Sequence, residues 1–230
     1  KSANLENVIL TGVDMSAKDL TGTVLSGANL SGKDLTGTIL KGANLFYVNL
    51  TGVDLSGKDL TGTVLKGVDL SGKDLTGTVL KGVDLSGKDL TGTVLNDASL
   101  FYVNLTGVDM SGMNLTGTVL KGVDLSDSDL SGTNFTRANL SNSNLSGSDL
   151  SESILMNTNL TGTILTGADF TNVNFTNVDL SYMNLAGTVL KGADLSDKDL
   201  TGTILKGANL ENANLTNAIL NCVGHEICIN

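Results

Sequence analysis

The chain has 230 residues, 28 of them Gly, no Pro or Trp, and a formal net charge of -10. That length can bury a sizeable core, while the acidic balance disfavours direct nucleic-acid binding and favours a cationic partner. No uninterrupted apolar run nears the roughly 18 residues that a membrane span needs.

The chain opens on Lys1 rather than Met, as it would after removal of a leader; a cytoplasmic and an exported location both stay open. From Leu5 onward one phase governs everything. Every fifth residue as far as Leu220 is apolar: Leu throughout, except Met15, Met110, Phe135, Phe170 and Phe175. Neither a period of 2 nor one of 3.6 makes such a pattern. A short fixed period is the mark of a solenoid. The fifth residue is here called the centre of its pentad. Before it stands Asp or Asn, otherwise Val or Ile, and once Ser99. At minus two come small or β-branched residues. Ser and Thr dominate plus one, and every glycine except Gly224 occupies plus two.

An extended three-residue unit points its centre and its minus-two residue to one side and the residue between them to the other. A turn must follow each unit, and Gly as its second central residue suits a turn that needs positive φ there. Repeated turns in one sense coil the chain, with the centres stacked inside about 4.8 Å apart.

The stretch Ser56–Leu95 reads SGKDL TGTVL KGVDL twice and then SGKDL TGTVL, a 15-residue repeat that suggests three pentads per coil. Lysine argues for four. Lys18, Lys33, Lys58, Lys73, Lys88 and Lys198 occupy the inward minus-two position. A 15-residue coil would stack Lys58, Lys73 and Lys88, with ammonium groups about 5 Å apart in a low-dielectric interior. A 20-residue coil alternates Lys18, Thr38, Lys58, Thr78 and so separates them. The inward lysines are expected to lay their stems along a corner, with the ammonium reaching solvent or backbone carbonyls.

Ala28-Asn29-Leu30, Ala168-Asp169-Phe170 and Ala208-Asn209-Leu210 carry the A(D/N)LXX signature, and the chain resembles the pentapeptide-repeat proteins over residues 1–220. The resemblance implies an all-β fold, a right-handed quadrilateral β-helix of about 11 coils of 20 residues, or a rod of roughly 50 Å. Residues 1–220 form the expected repeat domain and 221–230 a short C-terminal cap.

Twenty-residue columns define the faces. Asp69, Asp89, Asp109, Asp129, Asp149 and Asp169 fall in one minus-one column. They are expected to close turns by side-chain hydrogen bonds or to form an acidic stripe for a basic partner. Each stacked pair repels by about 1 kcal/mol even at the dielectric constant of water. Phe46, Tyr47, Phe101 and Tyr102 interrupt the polar surface, and Phe101 lies between Lys81 and Lys121 in its column. They suggest a cation–π patch or partner anchors.

After Leu220 the phase breaks. Val223, Ile227 and Ile229 supply apolar residues for the cap, and Cys222 and Cys228 are placed to form a small disulfide loop or to stay as buried thiols. With His225 they make only three candidate metal ligands, short of a structural zinc set. No catalytic constellation, phosphate loop or cofactor motif is visible. The expected function is a non-enzymatic structural or interaction rod, monomeric or joined end to end, that binds a protein partner through polar and acidic faces. An alternative implied by the resemblance is a DNA mimic that binds a DNA-handling enzyme such as DNA gyrase. The second alternative is an ice- or surface-binding solenoid, from the likeness of the TGT triplets to Thr-x-Thr arrays.

Overall fold

A computed structural model describes residues 3–228 of the chain. The chain divides into two compact units, Lys1–Val108 and Asp109–Asn230. Both are built from the same local unit. The carbonyl of each centre accepts the amide three residues on, as in Val13 N–H to Leu10 O at 3.0 Å and Thr158 N–H to Leu155 O at 2.9 Å. The plus-two residue has positive φ whether or not it is glycine: +77° at Gly67, +51° at Tyr47 and +59° at Glu152. The minus-one Asp or Asn closes the same turn. Its Oδ1 accepts the plus-one amide, at 2.9 Å for Asp74 and Thr76 and 3.0 Å for Asn159 and Thr161.

Parallel bridges set the register. Asp74 pairs with Val94 in the first unit, and Asp149 with Asp169 in the second, in each case 20 residues on. Four pentads therefore make one coil. Among the described residues the pairing consists of isolated bridges at minus-one positions, with no continuous strand. The cause is local: a two-residue turn follows every three-residue extended unit and limits the ladder to one residue per side.

The centres form the core. Leu55, Leu75 and Leu95 are fully buried in the first unit, and Phe135, Phe170 and Phe175 in the second. The last two rings lie 5.3 Å apart. Inward hydroxyls at minus two are matched to carbonyls of the core. Thr78 donates to Leu55 O at 3.1 Å, Thr93 to Leu70 O at 2.9 Å and Thr203 to Leu180 O at 2.8 Å, each across to the neighbouring coil. The buried polar atoms of the interior are thereby satisfied. Ser153 is the buried side chain left without a partner among the described residues.

Lysines at the same position end on backbone carbonyls. Lys33 donates to Val13 O at 3.0 Å, Lys73 to Leu50 O at 2.6 Å, Lys88 to Val68 O at 2.7 Å and Lys198 to Val178 O at 3.3 Å. These four are half-buried and Lys18 is exposed. Burial pushes the Lys88 and Lys198 ammonium groups below the usual lysine range.

The register slips by one residue at the C-terminal segment, where Ile204 bridges Val223, 19 residues on. The slip turns Val223 outward, 55% exposed, and Cys222 takes the buried slot. This differs from the expected cap, in which Val223 covers the last coil. Ile227 is half-buried, Leu210, Leu215 and Leu220 remain partly open to solvent, and Ile229 lies outside the described residues. Cys222 and Cys228 are joined in a disulfide.

Candidate binding surface

The outward minus-one column carries the acidic residues. In the first unit Asp69 and Asp89 are exposed. Asp69 accepts from the amide of Ser71 at 3.0 Å and from its hydroxyl at 2.6 Å; Asp89 accepts the amide of Thr91 at 2.9 Å. In the second unit Asp109 accepts from Ser111, Asp129 from Ser131, Asp149 from Ser151 and Asp169 from Thr171. Asp129, Asp149 and Asp169 are joined in register by successive bridges. Every candidate aspartate thus serves a turn as well as facing outward.

Two opposing effects meet on these carboxyls. The hydroxyl and amide of Ser71 hold Asp69 below the usual carboxylate range. The hydroxyl and amide of Thr91 do the same for Asp89, against desolvation and the repulsion of Asp69. Asp109 is lowered by the amide and hydroxyl of Ser111. Hydrogen bonding outweighs like-charge stacking here, so the groups are ionised at neutral pH.

Stacked aspartates and inward lysines loosen the coil. In the first unit the amides of the Asn, Val, Ile and Ser residues at minus one, from Val24 to Asn104, each donate to the neighbouring coil, as Val79 does to Lys58 O at 2.9 Å. Among the described residues none of Asp34, Asp54, Asp59, Asp69, Asp74, Asp84 and Asp89 does so. At Lys33-Asp34 and Lys88-Asp89 the lysine ammonium takes the carbonyl that the aspartate amide would otherwise use. The side chain is too long to stack inside, so it emerges along the corner and fills the vacated acceptor.

The widest consequence lies between residues 63–70 and 84–89. There no backbone hydrogen bond joins the two coils among the described residues, and a cleft of about 870 Å³ opens, bordered by Tyr47, Lys66, Asp69, Asp84, Lys88 and Asp89. Tyr47, Asp69 and Asp89 come together here. Lys66, Asp84 and Lys88 were not singled out from the sequence, although Lys88-Asp89 in an SGKDL pentad is the signal that could have marked the place. A second cleft, of about 640 Å³, lies beside Tyr182 and Asp179 in the second unit.

The aromatic pairs differ in use. Phe46 and Tyr47 pack edge to face at 4.5 Å, Phe101 and Tyr102 at 4.3 Å, and the Lys81 ammonium stands 5.4 Å from the Phe101 ring centre. The Phe101 pair is therefore a cation–π patch. Tyr47 and Tyr102 stay about 60% exposed, at 61% and 60%. Among the described residues no three His, Cys, Asp or Glu side chains are grouped to hold a metal ion, and no helix is long and apolar enough to cross a membrane.

The family model for pentapeptide repeats matches the chain in overlapping segments that run from residue 1 to residue 221. A comparison with curated proteins found no match. Among solved structures the chain is similar to HetL, a pentapeptide repeat protein involved in heterocyst differentiation regulation from the cyanobacterium Nostoc, at 27% identity over 99% of this chain and 92% of that one, with a TM-score of 0.25. It is similar to Rfr23, a pentapeptide repeat protein from the cyanobacterium Cyanothece, at 36% identity over 42% of this chain and 64% of that one, with a TM-score of 0.23. QnrB1, a plasmid-mediated fluoroquinolone resistance protein, matches at 21% identity over 75% of this chain and 84% of that one, with a TM-score of 0.35. With its unbroken pentads, its 20-residue register and the family model matched along its length, this chain belongs to the pentapeptide-repeat proteins.

Proposed function

We propose that the chain is a non-enzymatic interaction scaffold that binds a protein partner with a basic surface through its polar and acidic faces. In this reading each unit consists of right-handed, four-sided β-helical coils, about 11 in all across residues 1–220, and 221–230 act as an end segment. The observation that carries it is the use of the outward aspartates. Asp69, Asp89 and Asp109 are held ionised by hydrogen bonds from the following Ser or Thr, on a chain of net charge -10. Asn closes the same turn at many other pentads, as at Asn44 and Asn139, so the turn alone does not call for a carboxylate.

The test compares the chain with a variant carrying Asp→Asn at 69, 89, 109, 129, 149 and 169, by pull-down from lysate at about 0.15 M and 1 M salt, across which the screening length falls from about 8 Å to 3 Å. The reading expects basic proteins to be retained by the parent at low salt, lost at high salt and lost in the variant. Capture of DNA gyrase subunits as the main partner would point to DNA mimicry instead. A partner list unchanged by both salt and substitution contradicts the reading.

A further inference from the structure

The cleft between residues 63–70 and 84–89 offers more than charge. The amides of Leu65 and Gly67 and the carbonyls of Asp84 and Ser86 have no backbone partner among the described residues. Elsewhere these same positions are paired, as Leu45 N–H is to Val64 O at 2.9 Å and Tyr47 N–H to Lys66 O at 3.0 Å. Donors and acceptors therefore alternate along an open, solvent-reached edge. A peptide backbone in extended form presents the complementary alternation.

The walls add a preference. The Tyr47 ring lies against Gly67: a Cβ on that glycine would meet Tyr47 Cδ1 at 2.5 Å. The glycine thus lets the ring lie flat at the mouth of the cleft. Asp69, Asp84 and Asp89 border the same space. Of the lysines that border it, Lys88 is engaged with Val68 O at 2.7 Å in the floor, while Lys66 is exposed at the rim. An aromatic face flanked by carboxylates suits a guanidinium or ammonium group.

We propose that this cleft binds an extended peptide segment of the partner by its backbone, with an arginine or lysine side chain set between Tyr47 and the Asp69 and Asp89 carboxylates. The inference rests on the reading of a basic partner and names where and how that partner is held. The site exists because Lys88 props the coils apart. A residue of the kind found at minus two in neighbouring pentads, such as Thr78 or Thr93, lets the ladder close.

The probe is a blocked heptapeptide of alternating arginine and valine, titrated into the full chain and read by amide chemical shifts. Its counterpart has the same sequence and charge with the valine amides N-methylated. Two variants accompany them. Tyr47→Gly places the consensus residue at a positive-φ turn position and preserves folding. Lys88→Thr removes a positive charge, so charge attraction alone predicts tighter binding, whereas closure of the cleft predicts loss. We expect the shifts to centre on Leu65, Gly67 and Asp84. Binding should weaken about tenfold in Tyr47→Gly, weaken at least as much on N-methylation, and vanish in Lys88→Thr. Equal binding of the two peptides, stronger binding by Lys88→Thr, or shifts spread evenly over the acidic column would overturn the cleft while leaving a salt-dependent basic partner intact. Absence of peptide binding would overturn it too, and the lysate experiment reports separately on the broader reading.

Discussion

Replacing Leu75 by Ala tests the interior column. Leu75 is fully buried, as are Leu55 and Leu95 on the adjoining coils. Its amide donates to Val94 O at 2.8 Å and its carbonyl accepts the Thr78 amide at 3.0 Å. Those backbone bonds hold the coil spacing, so the space left by the lost isobutyl end cannot collapse. Losing the buried methyl and methylene groups and keeping the cavity amounts to about 3–4 kcal/mol, the middle of the range for such truncations. Leu215→Ala is the control. Leu215 is only half-buried, and the same change there should be worth about 1 kcal/mol. In a chain of this size about 1 kcal/mol moves the melting temperature by about 2–4 °C, so the two variants separate by several degrees. Because repeat units can open locally, urea melts should be accompanied by native-state hydrogen exchange. Equal losses at Leu75 and Leu215, or a loss under about 1 kcal/mol at Leu75, would refute the stacked interior.

Three further outcomes follow from the same geometry. Thr78→Val keeps the shape but leaves Leu55 O without the hydroxyl, and should lower stability by about 1 kcal/mol in urea melts. Glu152 occupies a positive-φ position, +59°, so Glu152→Gly should raise stability by about 1 kcal/mol, read by calorimetry. The pH dependence has a defined sign. Asp19, Asp69, Asp89 and Asp199 are lowered in the folded state by the hydroxyl and amide of the following Thr or Ser. Their stabilisation is present above the unfolded value, 3.8, and is lost as pH falls below it through the folded values. Ser71→Ala should shift the Asp69 titration upward, seen in carboxyl carbon chemical shifts, and an unchanged or lower titration would contradict the assignment.

The phase of the apolar centres, the positive-φ turns and the inward facing of minus-two residues were all legible in the sequence because each repeats at every pentad. The 20-residue register was legible for a sharper reason: stacking Lys58, Lys73 and Lys88 in a dry interior is too unfavourable. The same lysines produced what the sequence did not show. Whether Lys88 reaches water or wedges against Val68 O depends on how far the coils part, which is a property of packing between segments 20 residues apart. The sign of the carboxyl shifts was likewise hidden. Column order shows Asp above Asp, but the Ser71 and Thr91 contacts that outweigh the repulsion depend on turn geometry. At the C-terminal segment a one-residue slip exchanged the expected roles of Val223 and Cys222, and no pattern in ten aperiodic residues announces such a slip.

Every column, from the leucine interior to the acidic face and the cleft, depends on the 20-residue register. Its most direct measurement is the set of methyl–methyl Overhauser contacts from Leu75 in a selectively labelled chain. The bridge of Asp74 to Val94 and the bond of Leu75 N–H to Val94 O predict contacts from Leu75 to Leu55 and Leu95. Contacts to Leu60 and Leu90 as next-coil neighbours, with none to Leu55 and Leu95, would mean a 15-residue coil and would contradict the account.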